Sequence, residues 1–406
     1  MPSLIPVTST RLGEHLPLLE LLPDNAPVSW VRGGDGLVGW GTYATTVVKG
    51  PNRFADARAW WHQQLEKFAI ADSVHASGTG PILFTSFSFD PAEDSVLVIP
   101  QIVVGRRNGS SWITWIGDQP QPSLLEETPI LSDAEFNWGD GSLSPAEWQL
   151  RVAQAIKEIE DTNLEKVVLA RDLKVNSHRA IDARKILRNL SVEYPSTWIF
   201  AVDGLVGATP ELLLRLSRGM VTSRVLAGTI RKTGDDEKDL ALAASLARSS
   251  KDLEEHEYAV RSVAEALEPF CTSTNVPESP FVLHLANVMH LATDVTGALI
   301  ESKKSVDAFT ILEKLHPSAA VCGTPTDIAA KLIKDIEGMS RGRYAGPVGW
   351  LDARGDGELG IALRCGQITE NEIRIFAGCG IVAGSNPEKE LSESSAKFAP
   401  MRSALN

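Results

Sequence analysis

Strand-like segments in this sequence follow one another in runs, and the helical segments stand in separate runs between them. Leu37–Val48, Ser95–Val104 and Leu164–Val175 are examples, each rich in apolar and β-branched residues. A parallel sheet would require single strands that alternate with helices, whereas consecutive strands favour antiparallel pairing. We therefore predict an α+β fold with antiparallel sheets.

The sequence changes in character at Ser144. A serine there, a proline at the next position and a glutamate at position 147 form the pattern of a helix N-terminus with a capping box. Apolar residues follow at helical spacing from Trp148 to Ile159. We predict a strand-rich N-terminal part over residues 1–140 and a second region over residues 141–406.

The charge of the chain limits its partners. The 406 residues contain 39 Lys and Arg against 52 Asp and Glu, a formal net charge of −13. Nucleic-acid binding requires a cationic surface, so we expect no nucleic-acid partner. The chain has no 18-residue apolar run and no signal-peptide pattern, and its four cysteines lack CxxC spacing. We expect a cytoplasmic protein with reduced thiols and no membrane partner.

Two segments present acidic side chains at helical spacing. Glu390, Glu393 and Lys397 are three and four residues apart, which places them on one helix face. Asp252 and Glu255 are three residues apart in another helical segment. Magnesium prefers oxygen ligands and is held by one or two carboxylates together with substrate groups, so these acidic residues are candidate ligands. A solvated helix face is the alternative in each case.

Two cationic residues lie in or beside apolar strand-like segments. Arg364 lies within Gly360–Gly366, where an unpaired guanidinium would be costly, and we expect it to meet a carboxylate of the protein or of a ligand. Lys166 precedes the apolar run Val167–Ala170 and is a candidate general base. The alternative for Lys166 is a strand-end lysine that extends to solvent.

Nine short blocks follow one another in the chain, with a further turn at Phe87–Pro91 in the N-terminal half. The blocks are Leu164–Arg171, Gly207–Leu212, Leu226–Thr229, Ser250–His256, Met289–Leu291, Leu315–Pro325, Arg343–Gly349, Leu363–Gly366 and Ala377–Lys397. Together they resemble the family of chorismate-utilising enzymes, whose members form isochorismate, salicylate, anthranilate or aminodeoxychorismate. The resemblance is dense from about residue 144 to the end of the chain.

The resemblance implies two large antiparallel sheets flanked by helices around one deep cleft, chorismate as the substrate and Mg²⁺ as the cofactor. By resemblance, Lys166 is the general base that activates water for attack at ring carbon 2, and Glu211 is the general acid that protonates the hydroxyl leaving carbon 4. The implied metal site consists of Glu255 and of Glu390 or Glu393, with Asp252 behind these ligands, and which of Glu390 and Glu393 binds the metal directly stays open. The implied substrate-binding residues are Gly228, Thr229, His290, Tyr344, Arg364, Gly378, Gly380 and Lys397.

Two features indicate which reaction of the family to expect. Members that add ammonia at carbon 2 typically carry glutamine where this chain has Lys166, so lysine points to water and to the absence of a glutaminase subunit. The loop with Ala320, Val321 and Cys322 is similar to that of members that stop at isochorismate. The resemblance thus implies an isomerase that forms isochorismate. The oligomeric state stays open, and the lack of an obvious apolar surface helix favours a monomer. Subsequent loss of pyruvate to give salicylate and a catalytically silent binding protein are the alternatives, and use of the product in menaquinone, salicylate or siderophore synthesis stays open.

Overall fold

The computed structural model describes residues 3–13, 16–124, 130, 135–300 and 306–406. These residues form 21 strands: β1 (Ile5–Leu12), β2 (Val28–Arg32), β3 (Asp35–Val48), β4 (Phe68–Asp72), β5 (Ile82–Ser86), β6 (Ser95–Arg107), β7 (Ser110–Ile116), β8 (Phe136–Asp140), β9 (Lys166–Ser177), β10 (Trp198–Val202), β11 (Leu205–Thr209), β12 (Leu212–Ser217), β13 (Met220–Arg231), β14 (Cys271–Asn275), β15 (Phe281–His284), β16 (Val288–Leu299), β17 (Gly323–Thr324), β18 (Pro347–Asp352), β19 (Gly357–Ile361), β20 (Cys365–Thr369) and β21 (Glu372–Ile381).

The described residues also form nine α-helices. They are α1 (Arg53–Leu65), α2 (Pro145–Asp161), α3 (Ala183–Glu193), α4 (Asp236–Leu246), α5 (Ser250–Leu267), α6 (Ala308–Leu315), α7 (Thr326–Ile336), α8 (Pro387–Lys397) and α9 (Ala399–Leu405). Short 3₁₀ turns lie at Leu18–Leu21 and Glu268–Phe270. No helix in the described part of the chain is both long and apolar enough to cross a bilayer.

Two sheets share the long strand β6. The first runs in the order β4-β1-β7-β6-β3-β2-β10-β11-β20-β21-β9, with β8 and β17 also paired to β9. The second runs β6-β5-β18-β19-β12-β13-β16, with β14 and β15 also paired to β16. Among the described pairs only β1 and β4 run parallel. The predicted class, α+β with antiparallel sheets flanked by helices, is confirmed.

The larger hydrophobic core contains side chains of both sheets. Trp30 and Trp198 from the first sheet are buried in the same cluster as Phe84 and Leu359, whose strands belong to the second. Full burial of such a side chain contributes about 1.5–3 kcal/mol to folding. A second cluster forms where α3, α9 and Leu18–Leu21 cover the first sheet. Strands of residues 1–140 pair with strands of residues 141–406, as β2 does with β10, and the division at residue 140 stays a prediction.

Helix α2 begins as its sequence pattern predicts. The backbone N–H of Glu147 donates to Ser144 Oγ at 3.3 Å, and the Glu147 carboxylate accepts from the Ser144 N–H at 2.9 Å, which completes the capping box. Trp148 is buried and its Nε1 donates to the carbonyl of Ala170 at 3.0 Å. The helix is thereby fixed against β9, the strand that begins with Lys166.

The predicted strand over Leu359–Gln367 is wrong as one element. It is divided into β19 and β20, because Arg364 adopts a left-handed backbone conformation with φ of +50°. This conformation is unfavourable for a residue with a Cβ atom and cannot continue a strand. The apolar pattern shows no break at this position, because the residues on both sides of the turn are still buried.

Candidate active site

One small cavity of about 90 Å³ collects most of the predicted substrate-binding residues and the predicted acid. Its lining residues come from both sheets, from the loops around residues 344 and 364, and from the end of α8. The predicted site residues in this lining are Glu211, Thr229, His290, Tyr344, Arg364, Gly378 and Lys397. Segments that are far apart in the chain therefore meet here, as Val168 and Lys397 do across 229 positions.

Glu211 lies between β11 and β12 with only 7% of its surface exposed. Its backbone is held at both ends, since its N–H donates to Thr209 Oγ1 at 3.2 Å and its carbonyl accepts from the Ile361 N–H at 3.2 Å. Burial raises the pKa of the Glu211 carboxyl to about 8, although the charges of Arg364 and Lys166 oppose this rise. The carboxyl is therefore protonated at neutral pH and can donate a proton.

Lys166 is the first residue of β9, and its side chain runs alongside β21. A Cβ atom at position 380 would lie 2.8 Å from Lys166 Cε, so the glycine provides the space that the lysine occupies. The effect of the Lys166 charge on the pKa of Glu211 shows that the two side chains interact electrostatically. The structure thus places the predicted base and the predicted acid in one electrostatic environment.

Thr229 and His290 are cross-strand partners on β13 and β16. Thr229 Oγ1 and His290 Nδ1 are hydrogen-bonded at 2.9 Å, and burial lowers the pKa of the imidazole to about 3, so the ring is neutral. His290 Nε2 is buried and forms no hydrogen bond with a described residue. Gly228 forms a bulge beside this pair with φ of +77°, and it faces Asp252 on α5. The His290 ring thus has one polar atom left for a ligand.

Arg364 contributes a guanidinium to the same cavity. Its carbonyl accepts from the Ala208 N–H at 3.1 Å, which fixes the left-handed turn, but its side chain makes no hydrogen bond or salt bridge with a described residue. Burial lowers the pKa of this guanidinium, and the nearby Tyr344 and Glu211 partly oppose the shift. Of the two partners that we expected, a carboxylate of the protein or of a ligand, no protein carboxylate among the described residues lies at contact distance, which leaves the group for a ligand anion.

Tyr344 and Lys397 complete the wall on the side of β21. The Tyr344 ring stacks on Phe376 with centroids 5.1 Å apart, and its hydroxyl would lie 3.1 Å from a Cβ atom at Gly378. Lys397 Nζ donates to the Gly378 carbonyl at 2.9 Å and forms a salt bridge of 2.7 Å with Glu393. The last turn of α8 is thereby attached to the strand that carries both predicted glycines.

The predicted magnesium ligands divide between α5 and α8. Partial burial raises the pKa of Glu390, and Glu393 adds to this rise. Burial alone would raise the pKa of Glu393, but Lys397 and other cations hold it below its usual value. Asp252 lies near Gly228 on the neighbouring strand, and the side chain of Glu255 lies outside the described residues.

No three Asp, Glu, His or Cys side chains in the described set lie close enough together to enclose a metal ion. Magnesium in proteins needs only one or two carboxylates, since water and substrate oxygens supply the remaining ligands. Glu390 and Glu393 are oxygen donors on one helix face, and their mutual repulsion would fall if a cation bound between them. The donor set therefore fits magnesium.

Sequence reasoning missed a buried ion pair below the cavity. Arg341 contacts Glu337 at 2.6 Å, and it donates to the carbonyls of Val168 at 2.7 Å and Val321 at 2.9 Å. Glu337 also accepts from the Ala170 N–H at 2.8 Å. The pair therefore ties β9 to the loop before α7. An arginine and a glutamate four residues apart usually indicate an exposed helix face, so the sequence carries no signal for this burial.

Comparisons with known proteins agree with this architecture. The family model described as chorismate binding enzyme matches residues 31–406. The chain is 40% identical to isochorismate synthase DhbC of Bacillus subtilis over 83% of this chain and 84% of that protein. It is 31% identical to isochorismate synthase MenF of the same organism, over 91% of this chain and 85% of that protein.

A solved structure supports the same fold. MenF of Escherichia coli, titled the menaquinone-specific isochorismate synthase, superposes with a TM-score of 0.83 at 24% identity, covering 99% of this chain and 95% of that one. The family model and the two relatives each cover more than four fifths of the chain. The chain therefore belongs to the chorismate binding enzyme family.

Proposed function

We propose that this enzyme is an isochorismate synthase, which converts chorismate to isochorismate. The observation that carries the proposal is a carboxyl group, Glu211, with a pKa raised to about 8 in a cavity that also contains Arg364 and Lys397. Chorismate is a dianion, and a chain of net charge −13 must concentrate cations locally in order to bind it. The names of the relatives support the same activity.

The reaction requires an acid and a base. Hydroxide is a poor leaving group, so Glu211 protonates the hydroxyl at ring carbon 4 as its bond to carbon breaks. Water is a poor nucleophile, so Lys166 accepts one of its protons as the new bond to ring carbon 2 forms. The ring double bonds shift between these two carbons. One water is added and one is lost, so the product is an isomer and no redox partner is needed.

The cavity residues bind and orient the substrate in this proposal. Arg364 binds a carboxylate, because its guanidinium has no partner among the described residues. His290 Nε2 offers a further polar contact, and Tyr344 packs beside the β21 backbone. When bound, magnesium supplies positive charge that neutralises a substrate carboxylate. Its proposed ligands are Glu255, Glu390 and Glu393, with Asp252 behind them.

Binding of chorismate requires the site to open. Pockets for ligands of metabolite size have volumes of about 300 Å³ or more, which is larger than the cavity of about 90 Å³. The side chain of Lys397 lies at the end of α8 and is 15% exposed, so its displacement is one route to this opening. The cavity as described is therefore too small for chorismate unless side chains around it move.

Lys166 and the loop with Val321 favour isochorismate over the other family products. A lysine at position 166 activates water, and it does not require an ammonia-supplying glutaminase subunit. Val321 lines the cavity, so the residues of this loop can contact the bound substrate. We also propose that the enzyme is cytoplasmic, in keeping with four cysteines that form no disulfide, and that it is monomeric.

The test is to incubate the purified protein with chorismate, with magnesium or with EDTA, and to identify the products by chromatography and mass spectrometry. The expected product is isochorismate, which has the mass of chorismate but separates from it, and we expect it only with magnesium. Salicylate and pyruvate as main products would assign the chain to the alternative reaction. No conversion in either condition would contradict the proposal and support a silent binding protein.

A further inference from the structure

A second cavity, of about 400 Å³, lies where the edges of the two sheets meet. It is lined by β2, β3, β6 and β10 of the first sheet and by β12, β18 and β19 of the second. It shares no lining residue with the active-site cavity. A ligand here would therefore occupy a separate site.

Glu358 lies in the wall of this cavity and its hydrogen-bonding capacity is already used. One carboxylate oxygen accepts from Trp30 Nε1 at 2.9 Å and from Trp198 Nε1 at 3.1 Å. The other oxygen accepts from Arg215 Nε at 3.0 Å. The charge of Glu358 is therefore balanced by Arg215, and two further arginines of the cavity have no equivalent partner.

Arg32 is the first of these two arginines. Its guanidinium stacks on the Trp198 ring, 4.3 Å from the centroid, and its Nε donates to the Ser196 carbonyl at 2.8 Å. Its terminal nitrogens make no hydrogen bond or salt bridge with a described residue. Burial lowers the pKa of Arg32, and the charges of Arg224 and Arg215 lower it further, while Glu358 and Asp294 oppose this shift.

Arg107 is the second arginine of the cavity without an equivalent acidic partner. Its closest acidic contact is Glu358 at 3.7 Å, beyond hydrogen-bond distance, and its side chain is 34% exposed. The other carboxylate in the lining, Asp35, is occupied by Arg106 at 3.0 Å and by the Asn108 N–H at 3.1 Å. The cavity therefore has more arginine charge than its own carboxylates neutralise.

Trp350 provides an independent observation. It lines the cavity, it is 1% exposed, and its Nε1 forms no hydrogen bond with a described residue. A buried indole N–H without an acceptor is costly, since most buried polar groups are paired. The described residues therefore leave this donor in the cavity wall without an acceptor.

We propose that this cavity is a binding site for a small organic anion, which is held through a carboxylate or phosphate group by Arg32 and Arg107. Planar guanidinium groups pair with both kinds of anion through two parallel hydrogen bonds. The stacking of Arg32 on Trp198 holds one guanidinium in a fixed position, which lowers the entropic cost of binding. This site is independent of the reaction proposed above.

The experiment is a titration of the full-length protein with inorganic phosphate and, separately, with benzoate, at constant ionic strength set with potassium chloride. The readouts are isothermal calorimetry and tryptophan fluorescence, because Trp30, Trp198 and Trp350 surround the cavity. We expect saturable binding of at least one probe. The probe that binds identifies the anionic group.

Three variants locate the binding. Arg32→Gln and Arg107→Gln should each weaken it by about tenfold or more, and the exposed Arg107 is the variant less prone to affect folding. Arg11→Gln is the matched control, since Arg11 is exposed on β1 away from the cavity. Arg364→Gln should leave binding unchanged because it alters only the active site. Absence of saturable binding by both probes, or equal affinity in Arg32→Gln, Arg107→Gln and Arg11→Gln, would overturn the proposal.

Discussion

Two combinations of a glutamate and an arginine lie in the same part of the molecule and use their polar atoms differently. Arg341 and Glu337 are 2% and 1% exposed, and their charged groups bond to each other and to backbone atoms. Glu211 is also buried and Arg364 is half-buried, yet neither side chain forms a hydrogen bond or salt bridge with a described residue.

The electrostatic consequence of this difference is visible in the pKa values. Burial alone would lower the pKa of Arg341, but its contact with Glu337 raises it above the ordinary value. The pKa of Arg364 is lowered by burial, and that of Glu211 is raised to about 8. A buried pair with every atom satisfied stabilises the backbone around the site, whereas a pair left unsatisfied provides groups for a ligand.

The largest effect that this comparison predicts is on turnover. Glu211→Gln removes the proton donor while it keeps the size and shape of the side chain, so we expect kcat to fall by about 10²–10⁴. Circular dichroism and thermal melting should show an unchanged fold, because the Glu211 carboxyl bonds to no described residue. Steady-state formation of isochorismate is the measurement. A wild-type rate in this variant would exclude Glu211 as the acid.

Loss of Glu337 from its hydrogen-bonded pair with Arg341 should instead lower the stability of the fold. Glu337→Ala leaves Arg341 buried and unpaired, and we expect the free energy of unfolding to fall by about 3–5 kcal/mol in urea titrations. Glu257→Ala is a matched control, since Glu257 and Arg261 have the same four-residue spacing on an exposed helix face. That control should change stability by less than about 0.5 kcal/mol. Equal losses in the two variants would contradict the scaffold role of the buried pair.

Local signals in the sequence were sufficient for some elements and insufficient for others. The capping box at Ser144 depends on neighbouring residues, and the structure confirms it. The left-handed turn at Arg364 and the buried charge of Glu337 depend on strands that arrive from distant parts of the chain, so the local pattern could not indicate them. The resemblance to a family gathered residues that spacing alone could not connect, including Glu211 and His290.

The pH dependence of kcat/KM further distinguishes Glu211 from Glu337. A protonated Glu211 is required, so the ratio of wild-type kcat/KM to that of Glu211→Gln, in which the contribution of the base Lys166 cancels, should fall about tenfold for each pH unit above about 8. His290, with a pKa of about 3, should add no change between pH 6 and 8. Measurement of kcat/KM for the wild type and for Glu211→Gln from pH 6 to 10 tests this, and a ratio that does not fall would contradict it.

The raised pKa of Glu211 also affects the stability of the folded protein. A carboxyl whose pKa is raised in the folded state binds a proton there that the unfolded chain has lost, so its contribution to stability decreases as pH rises from about 4.5 to about 8. Unfolding of the wild type relative to Glu211→Gln at pH 5 and pH 8 measures this contribution. A difference that does not depend on pH would mean that Glu211 is ionised in the folded protein.

The smallest predicted effect concerns the space beside the base. Gly380→Ala places a methyl group against the Lys166 side chain, which is flexible and can move away at little cost to folding. We expect kcat to fall by about tenfold with the melting temperature nearly unchanged, because the general base is displaced while the strand is kept. Gly139→Ala on β8 is the control, since a Cβ atom there meets nothing closer than 3.8 Å. If Gly380→Ala retains full turnover, the position of Lys166 along β21 does not limit the reaction, and its role would have to be tested by Lys166→Ala directly.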